Sequence, residues 1–66
     1  MDFYGSILDE SDSPKFMIFF DSFHFEGEYI YLYQNEKEVA RISSKKYNLV
    51  FTGDSDGTYY IDFIEK

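Results

Sequence analysis

The sequence predicts an all-β fold: a single small domain with a five- to six-stranded antiparallel meander that forms a strongly curved sheet or a partly open barrel. Two observations carry this prediction. Short runs in which apolar and polar residues alternate are separated by turn-forming residues at close intervals. In addition, no stretch has apolar residues at helical spacing over a length that could form a packed helix.

The length and composition allow one small core. The chain has 66 residues, which corresponds to one domain spanning residues 1–66. Because it contains no cysteine, neither disulfides nor thiolate metal sites can stabilise the fold. Eight Phe and seven Tyr residues are therefore expected to supply most of the buried surface, since each such ring buries about 150–250 Å².

The segment from Lys15 to Tyr33 holds eight of these fifteen aromatic residues, and the rest of the fold is expected to be arranged around it. We predict a strand over residues 15–25, with a bend or bulge at Asp21-Ser22. A two-residue turn at Glu26-Gly27 then leads to the next strand, because Gly tolerates the positive φ of such turns. An alternative register places the turn over residues 21–24 and makes Gly27 a bulge.

Both faces of the stretch from Phe16 to Phe20 are apolar. A strand of this kind is usually covered on both sides, so a second layer or another chain is expected to cover the second face. The remaining predicted strands span residues 3–8, 28–34, 38–43, 47–52 and 58–64, and residues 53–57 give the clearest turn signal.

Three tyrosines form the most informative pattern in the sequence. In the strand over residues 28–34, Ile30 and Leu32 alternate with Tyr29, Tyr31 and Tyr33. The aliphatic residues are expected to face the core, which places the tyrosines on the opposite face. These tyrosines either coat a solvent-facing strand or form a binding surface, because Tyr is enriched at interface hot spots.

The net charge of −7 lies in the N-terminal half, where residues 1–36 contain eight acids and one lysine. Such a surface repels phosphate backbones and anionic lipid and attracts basic proteins, so direct nucleic-acid or membrane binding is not expected. The N-terminus lacks a basic n-region, and the longest apolar run is too short to span a bilayer. These features predict a cytoplasmic protein.

Groups that could support catalysis or metal binding are few. His24 is the single histidine and the single candidate for a general base of that type. Paired carboxylates occur near residues 9–12 and 26–28, but so small a domain has little room for a substrate cleft between them. The acids Asp54, Asp56, Asp62 and Glu65 have the spacing of an EF-hand loop, but Tyr59 occupies the position that requires Gly. We predict no enzymatic activity, no cofactor and no metal site.

The leading functional hypothesis is a binding module for a protein with a basic surface. It is envisaged as a small inhibitor that a mobile element, such as a phage, directs against a host nucleic-acid-handling protein, with carboxylates that mimic phosphates. The alternative is a structural or assembly protein whose aromatic face forms a homodimer or larger homo-oligomer. The residues predicted to bind the partner are the N-terminal acids and the tyrosine row: Asp9, Glu10, Asp12, Asp21, Glu26, Glu28, Tyr29, Tyr31 and Tyr33.

Overall fold

The fold is all-β, as predicted, and consists of seven strands. The structure, a computed structural model, describes residues 2–9, 11 and 14–66. The strands are β1 (Asp2–Leu8), β2 (Pro14–Phe20), β3 (Ser22–Glu26), β4 (Tyr29–Gln34), β5 (Lys37–Ser43), β6 (Tyr47–Ser55) and β7 (Thr58–Glu65). Within the described residues there is no helix long and apolar enough to cross a membrane.

The strands form two sheets that face each other across the core. Sheet A has the order β2-β1-β7-β6, and sheet B has the order β3-β4-β5. All neighbouring pairs are antiparallel except β1 and β7, the first and last strands, which pair in parallel. The smallest extent of the molecule is 16 Å between Cα atoms, which fits two sheets stacked about 10 Å apart.

The predicted meander is therefore wrong in its connectivity. Seven strands replace five to six, two sheets replace one curved sheet, and these sheets do not close into a barrel. The parallel β1–β7 pair is not part of a meander, because a parallel pair needs a long connection between its strands. Here the rest of the chain makes that connection.

The strand predicted over residues 15–25 is divided at Asp21 into β2 of sheet A and β3 of sheet B. The break allows aromatic residues before and after it to reach the same interior. Phe20 at the end of β2 and Phe23 in β3 both contact the ring of Phe3, with centroid distances of 5.1 and 5.4 Å. The bend predicted at this position is thus a crossing between the two layers.

The turn between β3 and β4 lies one residue later than predicted. Glu26 pairs with Tyr29 across the strands, so Gly27 and Glu28 form the turn instead of Glu26 and Gly27. Gly27 occupies the first central position with a φ of 61°, the position at which a type II′ turn requires Gly. The turn predicted at the Asp-Gly pair is confirmed, because Asp56 and Gly57 connect β6 and β7 with positive φ at both residues.

The core lies between the sheets and contains residues from both. Ile30 and Leu32 are 2% and 0% exposed, which confirms that the aliphatic side of β4 faces inward. The buried residues of the core cluster are Phe20, Ile30, Leu32, Ile42, Ile61 and Phe63, and Leu8 is buried as well. The alternation of side chains along each strand then assigns the opposite residues to the outer face of each sheet.

Gly5 of β1 lies close against two rings of the core. A Cβ atom at this position would lie 3.0 Å from Cε2 of Phe63 and 3.1 Å from Cε1 of Phe20. Both contacts are shorter than ordinary van der Waals separations, and both rings are almost completely buried. The absence of a side chain at position 5 therefore allows these two rings to pack against β1.

We expect Gly5→Ala to destabilise the protein by about 1–3 kcal/mol, because the added methyl overpacks the core against two rings that have little freedom to move. The measurement is the free energy of unfolding in urea, with Asn48→Ala on an exposed site of β6 as the control. An unchanged or higher stability for Gly5→Ala would contradict this description of the core.

Candidate protein-interaction surfaces

The tyrosine row lies on the outer face of sheet B, which we call the tyrosine face. It consists of Tyr29, Tyr31 and Tyr33 from β4, flanked in the sheet by His24 of β3 and Arg41 of β5. Tyr29 is 41% exposed, whereas Tyr31 and Tyr33 are half-buried. Because Ile30 and Leu32 point into the core, the position of the tyrosines on this face follows from the strand alternation.

Cross-strand neighbours hold the tyrosine rings in place. His24, Tyr31 and Arg41 occupy one row across the three strands. The guanidinium carbon of Arg41 lies 4.8 Å from the ring centroid of Tyr31 and 5.8 Å from that of Tyr29, within the range of a cation–π contact. The ring of His24 lies 6.4 Å from that of Tyr31 on the opposite side. Tyr31 is thus enclosed by a cationic and an imidazole neighbour.

Carboxylates lie around the tyrosine face and contact the basic side chains beside it. Glu38 accepts a hydrogen bond from Nη2 of Arg41 at 3.2 Å, and its charge and hydrogen bond raise the pKa of Arg41 above the ordinary value. Glu26 lies 3.3 Å from Nε2 of His24, and Glu28 lies 2.6 Å from Nζ of Lys45. All these pairs are exposed to solvent, so each contributes little to the stability of the fold.

Asp21 lies apart from the other predicted acids of this region. It precedes β3, whereas Glu26 ends that strand, so about 17 Å of extended chain separates them. The Asp21 carboxylate accepts a hydrogen bond from the backbone N–H of Asn35 at 2.9 Å. Asn35 and Glu36 both have positive φ in the turn between β4 and β5, so Asp21 stabilises that turn.

The first acidic loop is also separate from the tyrosine face. Asp9 follows β1, and its Oδ1 accepts hydrogen bonds from the backbone N–H and the hydroxyl of Ser11, at 2.9 and 2.7 Å. Asp9 and Ser11 line a shallow depression together with Lys15 and Glu65. Glu10 and Asp12, which were predicted to bind the partner, lie outside the described residues.

The structure therefore brings together five of the nine predicted partner-binding residues. Tyr29, Tyr31 and Tyr33 form one row, Glu26 ends the neighbouring strand, and Glu28 lies in the turn that leads into the row. Asp21 and Asp9 belong to other parts of the surface. Arg41 could not be predicted as a partner of the tyrosines beyond its outward position, because the contact depends on the pairing of β4 with β5.

The four acids with EF-hand spacing lie on an ordinary β-hairpin. Asp54 is in β6, Asp56 is in the turn, and the other two are in β7. A strand extends over about 3.3 Å per residue and cannot wrap its side chains around a single ion. No group of three or more possible metal ligands occurs among the residues that the structure describes.

A second exposed surface covers the outer face of sheet A. We call it the apolar face and define it by Tyr4, Met17, Phe19, Val50, Tyr60 and Ile64. Phe19 is 62% exposed and Met17 is 51% exposed. The alternation from Phe16 to Phe20 predicted an apolar second face for β2. It could not reveal that β1, β7 and β6 extend this face across the whole sheet.

Comparison with protein families, curated proteins and solved structures found no match to this chain. The tyrosine face and the apolar face are therefore the features from which a function can be proposed.

We expect Asp21→Ala to destabilise the protein by about 1 kcal/mol, because it removes the acceptor for the Asn35 N–H. Hydrogen exchange at the Asn35 amide, followed by NMR, should become faster than in the unmodified protein. Glu36→Ala serves as the control, because it changes the same turn and leaves the hydrogen bond between Asp21 and Asn35 in place. If Asp21→Ala left exchange at Asn35 unchanged, Asp21 would have no role in this turn.

Proposed function

We propose that the protein is a non-enzymatic binding module whose tyrosine face docks on the basic surface of another protein. The observation that carries this proposal is the row of Tyr29, Tyr31 and Tyr33 on the outer face of a three-stranded sheet. Tyrosine is enriched at interface hot spots because it offers a large contact area with few rotatable bonds.

The neighbours of the tyrosines favour binding with a low entropic cost. Arg41 contacts the rings of Tyr29 and Tyr31, and these two rings lie 6.3 Å apart. A surface whose side chains are already held in place loses less freedom on association than a mobile one. The tyrosine face is therefore a pre-organised platform rather than a set of independent side chains.

The charge of the molecule favours a basic partner. The net charge is −7, and Glu26, Glu28 and Glu38 lie beside the tyrosines. Their present ion pairs are exposed and therefore weak, so lysines or arginines of a partner can replace Lys45 and the other cations at little cost. Complementary charge also accelerates encounter with such a partner.

We further propose that the partner is a protein that handles nucleic acid and that the module inhibits it. A mobile element such as a phage would use a protein of this kind against its host. Glu26 and Glu28 would then occupy positions that phosphates otherwise occupy. Asp21 is left out of this set because its carboxylate supports the turn at Asn35. A protein of this kind competes with DNA for its partner, and its binding weakens steeply as salt increases.

The experiment measures binding to immobilised core histones, used as a basic DNA-binding probe, with lysozyme as a basic probe that does not act on nucleic acid. We expect binding to the histones that decreases with salt and is displaced by duplex DNA. Tyr31→Ala and the double variant Glu26→Gln, Glu28→Gln should each weaken it about tenfold, since hot-spot residues contribute about 1–2 kcal/mol or more.

Tyr60→Ala is the control, because it removes a tyrosine ring from the outer face of sheet A, where Tyr60 is 38% exposed. It should leave histone binding unchanged. Equal affinity for histones and lysozyme would reduce the proposal to non-specific charge attraction. Binding that resists salt and DNA, or that Tyr31→Ala leaves intact, would overturn the phosphate-mimic account.

A further inference from the structure

We propose that the apolar face of sheet A binds a second copy of the chain, with a two-fold axis parallel to the strands between β1 and β7. This surface is separate from the tyrosine face, which lies on the other sheet. The inference is therefore independent of the proposed function.

Several side chains of the apolar face contact one another around Tyr4. Tyr4 lies near its middle and stacks on Phe19, with ring centroids 4.4 Å apart. Its ring meets that of Tyr60 edge-on at 6.0 Å, and its hydroxyl donates to the sulfur of Met17 at 2.7 Å. Val50 extends the face onto β6 and is 40% exposed. Contiguous apolar surfaces of this kind mark interaction sites in soluble proteins.

The size of the face suits a specific interface. Four strands at about 4.8 Å each and six to seven residues at about 3.3 Å each give a face of roughly 19 by 21 Å. Two such faces in contact cover roughly 800 Å² even if they are treated as flat, and rings that project from the sheet add to the accessible area. The total is thus of the same order as the about 1,000 Å² that a specific interface needs.

The register of sheet A makes this face complementary to itself. One row across the sheet contains Met17, Ser6, Asp62 and Val50, in that order. A two-fold axis along the strands, midway between β1 and β7, exchanges the two halves of this row. Ser6 then faces Asp62 of the second copy, and Met17 faces Val50 of the second copy.

This arrangement resolves the one polar pair at the centre of the face. Asp62 is a carboxylate within an apolar surface, and burial without a hydrogen-bond donor would be costly. Across the proposed axis, the Ser6 hydroxyl is available to donate to it in both halves of the dimer. An axis perpendicular to the strands at this row would instead bring the two Asp62 carboxylates together. The polar pair therefore favours the parallel axis.

The neighbouring rows agree with the same axis. Tyr4 and Tyr60 are register partners, so rotation places Tyr4 of one copy over Tyr60 of the other. Ile64 lies over Leu8 of the second copy in the same way, but Leu8 is only 8% exposed and adds little contact. The apolar contact beside the Ser6–Asp62 row therefore comes mainly from Tyr4 and Tyr60. The packing reproduces the sheet-on-sheet arrangement that the protein already uses for its own core.

The first test compares Phe19→Glu with Phe25→Glu by analytical ultracentrifugation over a concentration series. Phe19 on the apolar face is 62% exposed, and Phe25 on the inward side of β3 is 59% exposed, so the two changes are closely matched. We expect the unmodified protein and Phe25→Glu to have twice the 7.9 kDa chain mass. Phe19→Glu should raise the dissociation constant about tenfold or more.

A monomeric unmodified protein at millimolar concentration would overturn the inference. It would also be overturned if both variants, or neither, dissociated the dimer. Circular dichroism of each variant verifies that the sheet is retained. High salt should leave this dimer intact, whereas it should weaken histone binding by the tyrosine face, so failure of one proposal can be told apart from failure of the other.

The second test establishes the axis and does not depend on the folding of a charged variant. The chain contains no cysteine, so Met17→Cys and Val50→Cys introduce single thiols. Mixed copies of the two variants should be joined by a short thiol-to-thiol cross-linker. Met17→Cys alone should not be joined, because its two thiols would lie at opposite edges of the sheet, three strand spacings or about 14 Å apart. The reverse pattern would exclude the proposed axis.

Discussion

The packing of Phe20, Leu32 and Phe63 between the two sheets determines the rest of the structure. These are the largest side chains that are completely buried, and they come from β2, β4 and β7. Side chains alternate along each strand. Because these three residues point inward, their neighbours Phe19, Tyr31 and Asp62 lie on the outer faces of the sheets. The positions of both candidate surfaces are therefore consequences of the core.

The small core also explains why two outer surfaces remain rich in apolar and aromatic groups. Within the described residues, Met17, Phe19, Val50 and Tyr60 are exposed on the outer face of sheet A, and Tyr29 is exposed on that of sheet B. A two-layer fold of this length has one interior, and the outer face of each sheet meets solvent or a partner. The two outer faces differ in chemistry: tyrosines with ion pairs on sheet B, and aromatic and aliphatic groups around Asp62 on sheet A. This difference is the basis for proposing different partners for the two faces.

Local patterns in the sequence predicted the strands but not their arrangement. The alternation of Ile30 and Leu32 with tyrosines identified the inner and outer sides of β4, and the Asp-Gly pair identified the last turn. The parallel pairing of β1 with β7 could not be predicted, because no local pattern specifies which distant strands meet. The division at Asp21 was only partly visible, since a bend in one strand and a crossing between two sheets have the same sequence signal.

The candidate site was predictable to a similar extent. The tyrosine row followed from alternation alone, whereas the contact of Arg41 with Tyr31 depended on the register of β4 and β5. The acids were chosen for their charge, and their positions depended on the tertiary fold. Asp21 consequently proved to support a turn. The full extent of the apolar face could not be predicted, because it depends on four strands lying side by side with Tyr4 next to Tyr60.

The most direct measurement is a set of proton–nitrogen NMR spectra of the unmodified protein, recorded first over a dilution series and then with added histones. The separation of roles between the two sheets predicts that dilution shifts the signals of outward residues in β1, β2, β6 and β7. It predicts that histones shift those of β3, β4 and β5. Dilution shifts centred on Tyr29 and Tyr31, or histone shifts centred on Tyr4 and Phe19, would contradict the assignment of these two faces.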